Sequence, residues 1–142
     1  MNVTWTPQIV AAVLAFVGVL IFVHELGHFL AAKLFDIKVL KFSLGFGPVL
    51  FSRVDRHGTR WQIAALPFGG YVRFLGDAGA ASDKDAGAMQ AMPPERRRQT
   101  MHGAPLWART LTVAAGPAFN FVLSILVFGA VMMADGRVAE PL

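Results

Sequence analysis

Two long apolar stretches frame this chain, and a polar, charge-rich stretch joins them. The first apolar stretch runs over residues 9–35 and the second over residues 110–134. At about 1.5 Å of rise per helical residue, each is long enough to cross a hydrocarbon core of about 30 Å, with some tilt. The pattern therefore predicts a membrane protein that is mainly α, with one transmembrane helix in each stretch.

Residues 36–75 show the alternation of apolar and polar positions that is typical of β-strands. Phe42, Leu44 and Phe46 alternate with polar or small residues, and residues 45–48, which contain Gly45 and Gly47, interrupt the run. A turn at residues 55–58 then predicts a hairpin.

Two interpretations of this small antiparallel β-element stay open. It is either a plain sheet on the membrane surface or a loop that re-enters the membrane beside the first helix. Irregular backbone at membrane depth has to be covered by protein or by a water-filled cavity. An open strand edge there can pair with an extended peptide.

The remaining segments are assigned by composition. Residues 76–109 are rich in Gly, Ala, Ser and Asp and then carry three consecutive arginines, which predicts a flexible basic linker. Residues 1–8 and 135–142 are predicted to be short tails on the external side. The chain has no cysteine, so disulfides and thiolate metal sites are excluded, and any metal ligand must be His, Asp or Glu.

The distribution of charge predicts the orientation in the membrane. Of the 13 Lys and Arg residues, 11 lie between residues 36 and 109, and the net charge is only +4. A basic stretch flanked by two membrane helices is better explained by the positive-inside rule than by nucleic-acid binding. We therefore expect residues 36–109 on the cytoplasmic side, both termini outside, and the lipid bilayer rather than nucleic acid as a partner.

The sequence His24-Glu25-Leu26-Gly27-His28 carries the chemistry. It matches the H-E-x-x-H pattern, in which two histidines four residues apart share one face of a helix and can bind one zinc ion. Zinc makes a bound water acidic, and the adjacent Glu25 can take its proton as a general base. Both histidines could instead be structural, but three ionisable residues at the end of an apolar helix are costly and are usually functional.

Three further polar side chains are candidates for the site. Asn120 is the strong amide of the second apolar stretch and needs a partner, which is either a helix–helix hydrogen bond or a contact in the active site. His57 and His102 are isolated in polar sequence, so we expect them to be solvated surface residues rather than metal ligands.

Four motifs together resemble the site-2 protease family of intramembrane zinc metalloproteases. They occur in the family's order at residues 24–28, 42–48, 66–72 and 115–121. The resemblance implies that His24 and His28 bind Zn²⁺ and that Glu25 is the general base. It also implies that Gly45 and Gly47 belong to a membrane-associated β-loop near the active site, and that Asn120 lies near the catalytic centre.

The resemblance also implies partners and a location. Family members act in the bacterial inner membrane, where the termini of this chain would be periplasmic, on membrane substrates such as single-pass anti-sigma factors. They continue into a PDZ region and later helices, one of which supplies an Asp as the third zinc ligand. That L-D-G motif is missing from residues 1–142.

The sequence therefore leaves three functions open. The first is the N-terminal part of an intramembrane zinc protease that needs the remainder of the protease. The second is a non-catalytic membrane binding or assembly subunit with only two zinc ligands, and the third is a membrane zinc carrier that uses the same histidines.

Overall fold

The computed structural model describes residues 4–79 and 84–136. Two long helices and one two-stranded antiparallel sheet dominate the fold, as the sequence predicts. The elements in chain order are α1 (Pro7–Leu34), β1 (Val39–Val54), β2 (Arg60–Phe74), α2 (Ala86–Ala91), α3 (Pro94–Arg97) and α4 (Leu106–Ala134).

Local sequence explains where α1 begins and ends. Thr6 caps its first turn, because the hydroxyl oxygen accepts a hydrogen bond from the amide of Ile9 at 3.4 Å, and Pro7 occupies the first helical turn. The chain leaves the helix at Asp36, which has a φ of 58°. This left-handed conformation is open to Asp at modest cost and stops the helical repeat.

The helices α1 and α4 touch where two glycines meet. A Cβ atom added to Gly27 would collide with the carbonyl oxygen of Ala115, and it would lie 3.1 Å from the Cα atom of Gly116. Small residues allow helix backbones to approach this closely, which is common between membrane helices. The approach places the end of α1 that carries the motif directly against α4.

Substituting Gly27 with Ala is therefore expected to destabilise the helix pair. Overpacking of this kind costs about 1–3 kcal/mol, because a backbone carbonyl cannot move aside as a side chain can. Gly18→Ala is the matched control: it lies in the same helix, nothing lies within 4 Å of its added Cβ, and better helix propensity should stabilise it slightly. Thermal unfolding in detergent, followed by circular dichroism, measures both, and equal stabilities would contradict the close contact.

Both strands bend rather than stop at their glycines. The sequence predicts an interruption at residues 45–48, but β1 continues through it, because positive φ angles of 85° at Gly45 and 80° at Gly47 turn the strand while its pairing continues. Residues 41–44 consequently pair with both ends of β2, at residues 60–63 and 70–73. The first half of β1 is internal and buried, whereas its second half is exposed.

The hairpin turn lies at residues 55–58, where the sequence predicts it. The carboxylate of Asp55 accepts hydrogen bonds from the amides of His57 and Thr59 and from the indole Nε1 of Trp61, at 2.8, 3.0 and 3.0 Å. Partial burial by itself would raise the pKa of Asp55, but these three hydrogen bonds outweigh it and hold the pKa below its ordinary value. The ionised carboxylate thus stabilises the turn.

The hydrophobic core lies between the end of α1, the internal half of the sheet and the segment before α4. Phe42 stacks on Trp61 at 4.5 Å between ring centroids, and Phe29 contacts both rings edge-on. The core therefore fixes the sheet beside the last turns of α1. Its buried members are Phe29, Ala32, Ile37, Val39, Phe42, Val72, Phe74, Met101 and Ala104.

The described part of residues 76–109 contains the two short helices α2 and α3. The amide of Lys38 donates a hydrogen bond to the carbonyl of Gln99 at 2.8 Å, which ties this stretch back to the core. The flexibility that the composition predicts for it stays a prediction. The helix α4 begins four residues before the predicted Thr110 and contains Pro117 in its interior.

Both long helices expose apolar side chains over the parts that lie away from the sheet. They are long and apolar enough to cross a membrane by length and composition, and none of the most apolar window of either helix is buried. A core helix of a soluble protein passes the same length test but is mostly buried. The exposed side chains include Ile9, Val10, Val13, Leu14, Phe16, Phe121, Val122, Ile125, Leu126 and Phe128.

Candidate metalloprotease site

An open cavity of about 280 Å³ lies where α1, α4 and β2 meet. It contains the first two residues of the H-E-x-x-H motif and the amide predicted from the second apolar stretch. Its lining residues are Leu20, Ile21, His24, Glu25, Gly69, Gly70 and Asn120.

The two motif histidines lie on one face of α1, as their spacing predicts. Their ring centroids are 4.8 Å apart, and the rings are nearly perpendicular. The Nδ1 atom of His28 lies 2.8 Å from the carbonyl oxygen of Thr112 in α4. A carbonyl only accepts, so Nδ1 of His28 carries the proton and Nε2 keeps the lone pair that a metal needs.

Gly116 of α4 packs against the Nε2 atoms of both histidines. A Cβ atom built on Gly116 would collide with Nε2 of His28 and would lie 2.9 Å from Nε2 of His24. The two Nε2 atoms therefore lie near each other on one side of Gly116, as two nitrogen ligands of one zinc ion must. The donor type and the convergence fit one zinc ion.

The fit is complete for two ligands only. A catalytic zinc site normally has three protein ligands and one open position. Within residues 4–79 and 84–136, no group of three or more His, Cys, Asp or Glu side chains is placed to hold a metal. The described residues therefore bring together two candidate ligands, His24 and His28.

Glu25 lies in the cavity next to the histidines and against β2. A Cβ added to Gly70 would lie 3.2 Å from Cγ of Glu25, 3.0 Å from Cγ2 of Ile21 and 2.7 Å from the carbonyl oxygen of Ser43. Glycine at this position therefore allows the strand to pack closely on α1. The close packing places the backbone of β2 directly beside the carboxylate side chain.

The structure places the other predicted site residues as follows. Asn120 lines the cavity, with its Nδ2 atom 3.4 Å from Nδ1 of His24. Gly45 and Gly47 lie on β1, the neighbouring strand, where Leu44 pairs with Gly70. Their predicted role as active-site support stays a prediction, and their observed local effect is the bend of β1.

Neither His57 nor His102 contributes to the cavity lining. His57 lies in the hairpin turn, where its amide donates to Asp55. His102 lies before α4, with Nε2 3.8 Å from a carboxylate oxygen of the buried Asp77.

Four residues near the motif were not named individually as site residues, although three of them lie in the matched stretches 66–72 and 115–121. Gly69 and Gly70 line the cavity, Gly116 packs against the histidines, and the carbonyl of Thr112 orients His28. The Gly-Gly pair in an apolar strand was a usable signal, because glycine in a strand often marks a close backbone approach. A backbone carbonyl such as that of Thr112 leaves no signal in a sequence.

A helical H-E-x-x-H site beside a cavity is the arrangement found in zinc metalloproteases. Here it lies between two helices that could span a membrane. The sequence model of peptidase family M50 matches residues 12–139, so this chain belongs to peptidase family M50, the site-2 protease family. This confirms the resemblance found from the four motifs.

Similar proteins come from several bacteria. The chain is 51% identical over 123 residues to "Putative zinc metalloprotease R01501" of Rhizobium meliloti, an alignment that covers 86% of this chain and 33% of that protein. It is 42% identical over 127 residues to the metalloprotease MmpA of Caulobacter vibrioides, which covers 84% and 32%. It is 37% identical over 128 residues to the protease RseP of Yersinia pestis, which covers 90% and 26%.

The chain thus spans about one third or less of the length of these curated relatives. The names of the relatives support zinc and protease chemistry at the level of the family.

Proposed function

We propose that this chain forms the zinc-binding, N-terminal part of an intramembrane metalloprotease. The observation that carries the proposal is the convergence of both histidine Nε2 atoms beside Gly116, with Glu25 in the adjoining cavity. Membership of family M50 supports the same reaction class.

In this proposal, His24 and His28 hold Zn²⁺, which when bound polarises a peptide carbonyl and makes water a better nucleophile. Glu25 takes the proton of the attacking water and returns it to the leaving amine. His28 is kept in the binding tautomer by the carbonyl of Thr112. The third ligand belongs to the remainder of the protease, with its PDZ region and C-terminal helices.

We further propose that α1 and α4 cross the bacterial inner membrane. Their exposed apolar side chains and length support this location. The cluster of Lys and Arg between them supports a cytoplasmic position for residues 36–109 and a periplasmic position for the termini. The motif lies near the cytoplasmic end of α1, where hydrolytic water has access.

The proposed substrate is a peptide segment within or beside a membrane helix, as in regulated proteolysis of a single-pass anti-sigma factor. Residues 70–73 of β2 pair with β1 on one side only, so this part of β2 forms an edge of the sheet. Gly69 and Gly70 of the same strand line the cavity beside Glu25. An extended peptide that added to this edge would pass close to the proposed base.

Zinc content tests the proposal directly. The chain, purified in detergent together with the remainder of the protease that would supply the third ligand, is expected to hold one zinc at this site, and His24→Ala or His28→Ala should abolish this binding, because each removes a ligand. His57→Ala is the matched control: it also removes a histidine, but an exposed one in the hairpin turn, and should leave zinc unchanged. Binding in the wild type that survives both ligand variants would refute the proposed site.

One observation favours a second candidate function. Only two zinc ligands are brought together within the described residues. Such a chain could act as a non-catalytic membrane binding or assembly subunit that docks a partner through its apolar helices. Absence of zinc from the purified wild type, together with stable co-purification of a membrane partner, would favour this candidate over the protease.

A further inference from the structure

We propose that Asn120 is a positioning residue: its side-chain oxygen accepts the Nδ1 proton of His24 and so keeps Nε2 of His24 free for the metal. The inference rests on the proposed function, because it concerns the same site. It assigns a chemical role to the contact between Asn120 of α4 and His24 of α1. The argument starts from a difference between the two histidines.

The Nε2 atoms of both histidines lie beside Gly116, but their Nδ1 atoms have different partners. His28 Nδ1 lies 2.8 Å from the carbonyl oxygen of Thr112, which can only accept a proton. The tautomer of His28 is therefore fixed by the fold. His24 Nδ1 lies 3.4 Å from Nδ2 of Asn120. A side-chain amide can present either its NH₂ donor or its oxygen acceptor to this nitrogen, depending on its orientation.

The orientation of this amide decides what His24 can bind. With Nδ2 towards His24, the amide donates to Nδ1, and the imidazole proton lies on Nε2, where it blocks metal binding. With Oδ1 towards His24, the amide accepts from Nδ1, and Nε2 has a free lone pair. Metal-binding histidines commonly use their second nitrogen in this second way, with a carboxylate or carbonyl oxygen as the acceptor.

The packing allows the second orientation at little cost. Rotation of the amide by 180° exchanges two atoms of nearly the same size. The Oδ1 atom of Asn120 is buried and has no hydrogen-bond partner among the described residues. Each orientation leaves one amide atom unpaired, so rotation loses no hydrogen bond. It gives Oδ1 a partner and gives His24 the same tautomer that Thr112 imposes on His28.

Two substitutions separate this role from simple packing. Asn120→Asp keeps an oxygen acceptor of nearly the same size but removes the donor, whereas Asn120→Leu removes both. Ser124→Ala is the matched control, because Ser124 lies one turn further along α4 and its hydroxyl donates only to the backbone carbonyl of Asn120. We expect Asn120→Asp and Ser124→Ala to behave like the wild type.

The first measurement is the tautomer of His24 in the metal-free chain, read from ring ¹⁵N chemical shifts in detergent micelles. A His24→Ala spectrum assigns the signals. We expect protonated Nδ1 in the wild type and in Asn120→Asp, and a shift towards protonated Nε2 in Asn120→Leu. The His28 signals should stay unchanged in all variants, because Thr112 holds that ring, and this reports that the site is still folded.

The second measurement is zinc affinity by competition with a chelator. Asn120→Leu should weaken binding by about 10–100-fold, the usual effect of losing such an outer partner, and Asn120→Asp should restore it. The proposal would be overturned if His24 kept its wild-type tautomer in Asn120→Leu. It would also be overturned if His24 carried its proton on Nε2 in Asn120→Asp. Because the tautomer is read without metal, it decides this point even if the chain combined with the remainder of the protease binds no zinc, a result that would count against the proposed function instead.

Discussion

Substituting Glu25 with Gln is expected to lower peptide-bond hydrolysis by about 100-fold to 10,000-fold, the usual contribution of a positioned general base. Glutamine has nearly the same size and keeps the contact with β2 at Gly70, but its amide cannot take a proton from water. Zinc binding should persist, since neither proposed ligand changes. The measurement is cleavage of a labelled single-pass membrane substrate in proteoliposomes, by the chain combined with the remainder of the protease.

A second glutamate provides the control for this experiment. Glu95 lies exposed in the short helix α3 and takes no part in the cavity lining. Glu95→Gln makes the same chemical change and should leave cleavage at the wild-type rate. Full activity in the Glu25→Gln variant would remove Glu25 from the mechanism, and loss of zinc in that variant would indicate a ligand role instead.

Substituting Gly116 with Ala is expected to remove zinc binding. The added methyl group would collide with the ring of His28 and crowd Nε2 of His24, so the histidines must be displaced from their present positions. We expect the affinity to fall by more than the 10–100-fold that loss of an outer partner typically causes. Chelator competition on the chain purified together with the remainder of the protease measures the effect directly.

Gly129→Ala is the matched control for Gly116→Ala. Gly129 lies further along α4, and nothing lies within 4 Å of the Cβ atom that the substitution adds. It should leave zinc binding unchanged and should make α4 slightly more stable, by about 1 kcal/mol, because alanine favours a helix. Equal zinc affinities in the two variants would contradict the proposed metal position.

Some of the site could be predicted because its geometry is local. The four-residue spacing of His24 and His28 is enough to place both on one face of α1. Glu25 follows from the same motif. Asn120 was identified as an amide that needs a partner in apolar surroundings, but the sequence left open whether that partner was another helix or the active site. The structure shows a contact between the two helices, with Nδ2 of Asn120 3.4 Å from Nδ1 of His24, and its role in an active site stays a proposal.

Other features depended on contacts between distant segments. The sequence predicts an interruption at Gly45 and Gly47, but β1 bends there through positive φ angles and continues. Its pairing then continues with a different part of β2. Gly116 is one of several small residues in α4. It lies in the matched stretch 115–121, but its contact with the histidines could not be predicted from that stretch, because the contact depends on how α1 and α4 cross.

The sequence by itself determined the two apolar helices, the hairpin turn and the pair of histidines with its carboxylate. These depend on composition, on periodicity and on residues a few positions apart. The tertiary structure decided which side chains of α4 and β2 reach the motif, since that requires the close approach at Gly27 and Gly70. It also decided the partners of the histidine Nδ1 atoms, because a backbone carbonyl and a distant side-chain amide come within hydrogen-bond distance of them only when the helices pack.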